Sequence, residues 1–293
     1  MPSLKEVRNR IVSVGSTMQI TSAMKMVSAA KLKRAQDAIT QIRPYANKLK
    51  ELLENVSASV DASENVYARN TGGKNLLIIP ISSNRGLAGA FNSNIIKKTN
   101  QLIKNDYAGY NITVLAIGKK VQDAFKHTVY NAHGTDLPGH TSDLFEKLNF
   151  AKTSVAAEKI MDSFLNKQFD KVVLVYNQFK NAAVQVATEE QLLPLVATKS
   201  ESSSSAKADY IFEPDQENII NELIPRSVKT QFFKAMLDSV ASEHGARMTA
   251  MHKATDNAQA MQKELKITYN KARQAAITKE ILEIVGGAEA LNG

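Results

Sequence analysis

The longest uninterrupted helical pattern in the sequence runs from Ser227 to Val285 and contains no proline. Its single glycine is Gly245, and the pair Gly286–Gly287 follows directly after it. Steps of three and four residues along the run reach thirteen positions, ten of them apolar: Phe233, Leu237, Val240, His244, Arg247, Met251, Ala254, Ala258, Met261, Leu265, Thr268, Ala272 and Ala275. One helix cannot bury so long a stripe by itself, so another part of the chain must lie along it.

The first sixty residues carry a matching stripe, and Ser3 with Glu6 has capping-box spacing at its start. Its members are Leu4, Val7, Ile11, Val14, Met18, Thr21, Lys25, Ser28, Leu32, Ala35, Ile39, Ile42, Ala46, Leu49, Leu53, Val56 and Val60. The two stripes predict an antiparallel coiled coil with left-handed winding, formed by the two ends of the chain. The alternative is two long helices packed on a conventional core.

Two details of the first stripe predict irregularities. The polar members Thr21, Lys25 and Ser28 stand beside apolar residues, which predicts that the apolar face rotates in this stretch; these neighbours are Ile20, Met24 and Val27. Pro44 predicts a kink, because a proline inside a helix removes one backbone hydrogen bond.

The middle of the chain predicts an α/β domain. A polar linker, residues 61–74, precedes strands at 75–81, 111–117 and 170–176, with helices at 90–104 and 144–169 and a short one ending at Phe125. We further expect a strand at 128–131 and another at 182–187, reached by a short turn. This alternation predicts a Rossmann-like, mostly parallel sheet with helices on both faces and one antiparallel edge strand.

The predicted organisation is therefore an N-terminal helix at 1–60, an α/β domain at 74–212 and a C-terminal helical region at 213–287. A serine-rich loop at 199–208 precedes that last region, and Asp215 is a plausible N-cap for its helix. Pro225 is expected to separate a short leading helix from the long one. The long helix is expected to end at Val285, before the glycine pair.

Composition excludes several classes of protein. The chain has no cysteine and five scattered histidines, so disulfides, thiolate sites and a metal centre are not expected. Its apolar runs are too short to span a bilayer, and the N-terminus has neither a signal core nor a transit-peptide composition. Of the net charge of +8, a surplus of six lies in residues 1–60, where ten Lys or Arg face four Asp or Glu. That basic helix is either a solvated face or a surface for an acidic partner.

No motif predicts catalysis or a cofactor. Residues 82–90, Ser-Ser-Asn-Arg-Gly-Leu-Ala-Gly-Ala, follow the first strand, where a dinucleotide site would lie, but lack both the G-x-G-x-x-G pattern and the Gly-Lys-Ser/Thr of a phosphate loop. No Ser/His/Asp arrangement or carboxylate pair stands out elsewhere. Near the C-terminus, however, the helix is apolar nearly all round at Ile277, Ile281, Leu282, Ile284 and Val285. An apolar tip beyond polar residues suggests a rod inserted into a partner's cavity.

Several segments, taken together, resemble the gamma subunit of F-type ATP synthases from one end of the chain to the other. They are residues 18–31 (MQITSAMKMVSAAK), 43–46 (RPYA), 83–89 (SNRGLAG), 191–194 (QLLP), 246–251 (ARMTAM) and 269–287 (YNKARQAAITKEILEIVGG). The resemblance implies a non-catalytic, cofactor-free rotor shaft. Its partners would be the alpha and beta subunits of an alpha3beta3 ring, the epsilon subunit and the membrane c-ring.

The resemblance also implies partner-contact residues, carried over motif by motif. Met24 and Lys25 resemble shaft positions facing an acidic lever segment of beta, and the basic residues Lys31, Lys33 and Arg34 extend that face. Arg247 matches the arginine of the Ala-Arg-Met motif, and Tyr210 with Glu213 resembles the foot segment near the c-ring. A polar set near the tip would engage the catalytic subunits: Arg273, Gln274, Thr278, Glu280 and Glu283.

The function implied is mechanical coupling between ion flow through the c-ring and ATP synthesis or hydrolysis in the ring. The expected location is peripheral, on the cytoplasmic face of a bacterial inner membrane. Two other functions remain open at this point: a nucleotide-binding enzyme with a coiled-coil dimerisation arm, and a coiled-coil factor that compacts DNA. Nucleotide titration would test the first of these, and a steep salt dependence of DNA binding would test the second.

Overall fold

The computed structural model describes residues 3–59, 66–69, 72–132, 137–138, 141–145, 148–195 and 216–292. The expected N-cap Asp215, the serine-rich loop and the proposed foot residues Tyr210 and Glu213 lie outside these ranges. The chain divides into two compact units. The first comprises residues 1–28 with 248–293, and the second comprises residues 29–247.

Two very long helices lie at the two ends of the sequence, and the elements of a small α/β domain lie between them in chain order. The elements in order are α1 (Leu4–Ser59), β1 (Asn75–Pro80), α2 (Phe91–Gln101), a π-helical turn (Leu102–Asp106), β2 (Asn111–Val114), α3 (Lys119–Phe125), a 3-10 turn (Ser142–Phe145), α4 (Phe150–Leu165), β3 (Lys171–Phe179), β4 (Gln185–Leu193) and α5 (Gln216–Asn292). Among the described helices, none combines the length and apolar character needed to cross a bilayer.

In the first unit, α1 and α5 pack side by side in opposite directions. The hydroxyls of Thr21 and Thr255 form a hydrogen bond with 2.8 Å between their oxygens. Gly15 faces Gln262, whose Nε2 would lie 2.9 Å from a Cβ built on the glycine. Because the residue number falls on one helix as it rises on the other, the pairing is antiparallel, and the predicted contact between the two ends of the chain is confirmed.

The stripe of α1 is buried where the sequence predicts it. Its buried apolar members are Val7, Leu32, Ala35, Ile39, Ala46 and Leu49. The predicted rotation around Thr21 is wrong, because Thr21 and Ser28 are buried, whereas Ile20 and Val27 are 60% and 56% exposed. Both hydroxyls are satisfied locally, since Thr21 bonds Thr255 and Ser28 donates to the Met24 carbonyl at 2.8 Å. Small, satisfied hydroxyls can therefore remain in the buried interface without an apolar side chain.

After Ala258, every second member of the stripe predicted for α5 is exposed, and the residue that follows it is covered instead. Met261, Thr268 and Ala275, which were assigned to the stripe, are exposed. The less exposed residues lie one position further along the helix: Gln262, Tyr269 and Ala276. The sequence favours Met261 because it is apolar, but the long Gln262 side chain faces Gly15, which has no side chain to exclude it. The space left by the opposite helix thus decides which residue is covered.

Both long helices continue through residues that were expected to interrupt them. Pro44 lies inside α1, which continues to Ser59, and Pro225 lies inside α5 and does not separate two helices. Ile224, Ser227 and Val228 are almost fully buried beside that proline, so packing offsets its cost of roughly 3 kcal/mol. The helix also passes through Gly286 and Gly287 to Asn292, since glycine costs only about 1 kcal/mol in a helix.

The second unit contains a four-stranded sheet with the order β2-β1-β3-β4. The β1–β2 and β1–β3 pairs are parallel, and β4 pairs antiparallel with β3 at the edge, as predicted. The strand expected at 128–131 is reduced to one bridge between Val114 and Asn131. The helix expected from Leu144 begins only at Phe150, because the Asn149 side chain caps it by accepting from the Lys152 N–H at 2.9 Å.

Apolar side chains cover both faces of this sheet. Alternate residues of β1, such as Leu77 and Ile79, pack with α4 and with residues 228–236 of α5. Leu76 and Ile78 face the opposite side, toward α2 and α3. The predicted two-faced α/β layer is confirmed. The segment of α5 in this unit belongs to a conventional core, which is what the alternative to a coiled coil predicts for it.

Gly118 connects β2 to α3 under the end of β1 and has a φ of +93°. A Cβ there would collide with the carbonyl oxygen and carbonyl carbon of Ser82. We expect Gly118→Ala to lower the free energy of unfolding by about 2–4 kcal/mol, since backbone strain adds to the clash. Gly109→Ala is the matched control, because Gly109 has a φ of +88° with nothing within 4 Å of the added carbon. It should cost only about 1–2 kcal/mol. Equal losses in urea denaturation would contradict the packing argument.

The neighbours Ile20 and Thr21 test the register of α1. Thr21→Asp places a carboxylate where the side chain is buried against Thr255, and we expect it to destabilise the chain by about 2 kcal/mol or more. Ile20→Asp changes a residue that is 60% exposed and should alter stability by about 0.5 kcal/mol or less. Thermal denaturation of both variants measures the difference. A larger loss of stability for Ile20→Asp than for Thr21→Asp would support the rotated apolar face instead.

Candidate functional site

One side of α1 in the first unit exposes apolar residues. Val12, Ile20, Met26 and Val27 are each more than half exposed. At 100° per residue these four positions fall within an arc of about 120°, on the side of the helix opposite Thr21 and the rest of the stripe. Such a row of exposed apolar side chains on a helix marks a surface that a partner covers.

The predicted contact residues of α1 occupy two kinds of position. Met24 and Lys25 are half-buried at the margin of the helix pair. In the second unit Lys31, Lys33 and Arg34 are exposed, and Lys33 forms an exposed ion pair with Asp37 at 3.1 Å. An exposed pair of this kind stabilises a helix by only about 0.3–0.5 kcal/mol. These three cations therefore remain accessible to an acidic partner.

The end of α5 exposes both polar and apolar residues. The whole predicted polar set is exposed, namely Arg273, Gln274, Thr278, Glu280 and Glu283. The predicted apolar tip is exposed as well, with relative exposures from 48% to 71%, at Ile277, Ile281, Leu282, Ile284 and Val285. Exposed isoleucine, leucine and valine on successive turns leave apolar surface in water, which indicates that another chain covers this end. No described residue of this unit buries them.

Arg247 differs from the exposed contact residues predicted on α1 and α5 because it is only 8% exposed and bonds a distant part of the chain. One guanidinium nitrogen donates to the Gly86 carbonyl at 3.0 Å, and another donates to the Glu243 carboxylate at 2.6 Å. Its geometry is that of a positioning residue, which ties α5 to the loop formed by residues 83–89. Sequence reasoning placed Arg247 in a motif but could not identify Gly86, 161 positions away in the chain, as its partner.

The loop of residues 83–89, between β1 and α2, holds one leucine in a left-handed conformation. Leu87 has a φ of +62° and is 66% exposed, while the next residue, Ala88, is 2% exposed. A left-handed leucine costs about 1–2 kcal/mol and is retained only where its surroundings hold it. Ser83 supplies such contacts, because its N–H donates to Asn92 Oδ1 at 3.0 Å and its hydroxyl donates to the Arg85 carbonyl at 2.6 Å. The loop therefore holds an apolar side chain in solvent in a fixed conformation.

Burial shifts the pKa values of two neighbours of Arg247, namely Glu243 and His244. Burial raises the pKa of Glu243, and the attraction of Arg247 opposes that rise. Burial lowers the pKa of His244 to about 4, and repulsion from Lys31 and Arg247 adds to the effect. His244 Nδ1 is buried and has no hydrogen-bond partner among the described residues. At neutral pH the histidine is consequently neutral, and the surface charge here comes from Lys31 and the exposed Arg85.

The described residues contain no group of acidic, histidine or cysteine side chains that could hold a metal ion. The loop after β1 uses its polar atoms internally, since Asn84 Oδ1 accepts from the Lys119 N–H at 3.1 Å and Ser82 Oγ accepts from the Val121 N–H at 3.0 Å. Both side-chain oxygens accept from the first turn of α3, so they hold the loop against that helix.

The lowered pKa of His244 predicts a pH dependence of stability. Between about pH 6.5 and 4 the unfolded chain binds a proton at this residue that the folded chain does not. The free energy of unfolding should therefore decrease as the pH falls through this range. We expect a contribution on the order of 1–2 kcal/mol, because solvent screens the partly exposed ring.

His244→Asn should remove this contribution, whereas His252→Asn, at an exposed histidine of the same helix, should retain it. The raised pKa values of Glu243 and Asp238 act with the opposite sign, so the informative quantity is the difference between each variant and the parent chain. Urea denaturation at pH 7 and pH 4.5 gives that difference. Identical behaviour of the two variants would show that His244 binds protons equally in both states.

The chain is similar to known proteins along almost its whole length. The family model described as ATP synthase matches residues 3–291. Proteins named ATP synthase gamma chain from Flavobacterium johnsoniae and Christiangramia forsetii are 58% and 55% identical, and each match covers 100% of both chains. A chain in the cryo-EM structure of the Euglena gracilis mitochondrial ATP synthase superposes with a TM-score of 0.69 at 22% identity, covering 98% of this chain and 94% of that one. The chain therefore belongs to the family of ATP synthase gamma chains.

Proposed function

We propose that this chain is the central rotor shaft of an F-type ATP synthase and couples ion flow through a membrane c-ring to ATP synthesis or hydrolysis in an alpha3beta3 ring. The observation that supports this most directly is the exposed apolar end of α5, Ile277 to Val285, beyond the exposed polar residues Arg273 and Gln274. An end of this composition fits a bearing formed by other chains. Membership of the gamma chain family supports the same assignment.

The mechanism we propose is differential contact. A rotating shaft can bias a catalytic site only if it contacts the states of that site unequally. The helix pair supplies three unlike surfaces for this purpose: the apolar row of α1, the basic residues Lys31, Lys33 and Arg34, and the polar set of α5. As these surfaces face each beta subunit in turn, they favour different conformations. The chain itself performs no chemistry in this scheme, and it holds no cofactor.

Individual partners follow from charge and chemistry. We assign Met24 and Lys25, with the exposed cations, to an acidic segment of beta, because the net surplus of positive charge lies on this helix. Arg273, Gln274, Thr278, Glu280 and Glu283 are assigned to loops of the catalytic subunits near the tip. Leu87 and Arg85 form a further proposed contact, since a leucine held exposed in a strained turn suits a partner's apolar pocket.

The location proposed for the assembled chain is the cytoplasmic face of a bacterial inner membrane, reached through the c-ring and the epsilon subunit. We expect Tyr210 and Glu213 to contribute to that end. Co-purification from a bacterial host tests the assignment, because an alpha3beta3 ring requires alpha and beta to be recovered in amounts equal to each other and about three times that of the tagged chain. A chain recovered without them, or one that binds a nucleotide specifically when isolated, would favour the enzyme alternative.

The polar set at the end of α5 predicts a coupling defect. We expect the double variant Arg273→Ala and Gln274→Ala, in a reconstituted complex, to retain the fold because both side chains are exposed, but to weaken ATP-driven proton pumping. Lys266→Ala with Asn270→Ala is a matched control, one exposed cation and one exposed amide on the same helix. Pumping is measured by fluorescence quenching in vesicles. Equal pumping by all three complexes would remove Arg273 and Gln274 from the site.

A further inference from the structure

Three elements of the second unit meet at Arg43 of α1. Its Nη2 atom donates to Asp238 Oδ1 on α5 at 2.7 Å and to the Phe179 carbonyl oxygen at the end of β3 at 2.9 Å. A single guanidinium thus joins both long helices to the sheet. None of the three bonded groups lies within the same element, and the residues are separated by 136 and 195 positions in the sequence.

The two charged partners differ greatly in exposure. The Arg43 side chain is 39% exposed, whereas the Asp238 side chain has no exposed surface. Burial raises the pKa of Asp238, and the adjacent Arg43 opposes that rise. A carboxylate enclosed in this way depends on a partner that stays in place, since breaking such a pair leaves a buried charge unsatisfied. The position of α1 is therefore tied to that of α5 at this level.

The location of the pair on α1 adds a second constraint. Pro44 follows Arg43 directly and has no N–H to bond the Thr40 carbonyl, so α1 has one backbone hydrogen bond fewer at this point. The buried residues on either side, Ile39 and Ala46, contribute apolar contacts. Such contacts are non-directional and would permit a small rotation of α1 about its own axis. A hydrogen-bonded ion pair with two fixed acceptors resists that rotation.

The other helix is held at the same strand end by contacts of its own. The Ser242 hydroxyl donates to the Asn177 carbonyl at 2.8 Å, and Gly245 lets α5 approach Ala182, whose carbonyl oxygen would lie 3.2 Å from an added Cβ. The last residues of β3 and the turn after it are thus the place where the sheet engages both helices. Arg43 extends this engagement from α5 to α1.

We propose that Arg43 and Asp238 form a clasp that makes α1 and α5 turn together with the α/β domain. In this role they are positioning residues for coupling and touch neither nucleotide nor the catalytic subunits. The inference rests on the proposed function as a rotor, and it names the place where torque passes between sheet and helices. Without the clasp, α1 would yield about its own axis at Pro44 under load, and turning the sheet would no longer set the angle of both helices.

The test uses the full chain in reconstituted ATP synthase vesicles and measures protons pumped per ATP hydrolysed. The main variant is the double change Arg43→Met with Asp238→Leu, which removes both charges together, so that neither charge is left buried without its partner. We expect assembled complex and ATP hydrolysis close to the parental values, with a loss of pumping per ATP. Lys48→Met is the control, because it breaks an exposed ion pair with Glu51 on the same helix, and it should pump as the parent does.

Two conservative variants keep the test informative if the double variant assembles poorly. Asp238→Asn keeps an oxygen acceptor but removes the negative charge, and Arg43→Lys keeps the positive charge but replaces the planar guanidinium with an ammonium group. Both variants weaken the charged pair and should show a reduced ratio of pumping to hydrolysis. A purely structural pair would lower the amount of complex and leave the ratio at the parental value, which would overturn the clasp. If the parental complex itself fails to couple or to retain alpha and beta, the proposed function fails, and that outcome is distinct from failure of the clasp alone.

Discussion

Burial of the apolar stripe between α1 and α5 is the interaction on which the structure depends. Each helix is too long to be covered by the small α/β domain, and each carries apolar or small residues every three or four positions. Water excluded from that interface supplies the free energy that keeps two extended helices ordered. The stripe of α1 lies on the face of that helix opposite the exposed apolar row at Val12 and Ile20. Pairing with α5 therefore leaves that row available to another chain.

Polar contacts fix how neighbouring elements are oriented, which apolar burial does not do because it is non-directional. Thr21 bonds Thr255 inside the first unit, and in the second unit Arg43 bonds Asp238 while Arg247 bonds Gly86. Each of these contacts joins elements far apart in the sequence, and each satisfies a group that would otherwise be costly to bury. Together they relate the helices to one another, to the end of β3 and to the 83–89 loop, which suits a chain proposed to transmit rotation.

The architecture was largely predictable, and the errors have specific causes. Periodicity located both long helices and the three parallel strands, because burial on one face imposes a period on the sequence. The edge strand predicted at 182–187 is misplaced, since β4 spans Gln185–Leu193. The local pattern misplaced the breaks at Pro225 and Gly286, since packing and helix length outweigh local propensity there. Periodicity also predicted a rotated apolar face at Thr21 and placed Met261 rather than Gln262 in the stripe of α5. Both errors arise because hydropathy alone does not reveal a hydroxyl pair or the space beside a glycine.

The features of the candidate site also separate into those that the sequence determines and those that only the tertiary structure shows. From composition and spacing alone, the sequence determined that the first helix is basic, that the end of α5 is apolar, and that catalytic and metal-binding motifs are missing from the pattern, because these properties belong to local stretches of chain. Only the tertiary structure decided that Arg247 is an internal support, that Leu87 is held in solvent, and that Arg43 meets a buried carboxylate. Those facts depend on which distant residues are brought within a few ångströms, and no local pattern contains that information.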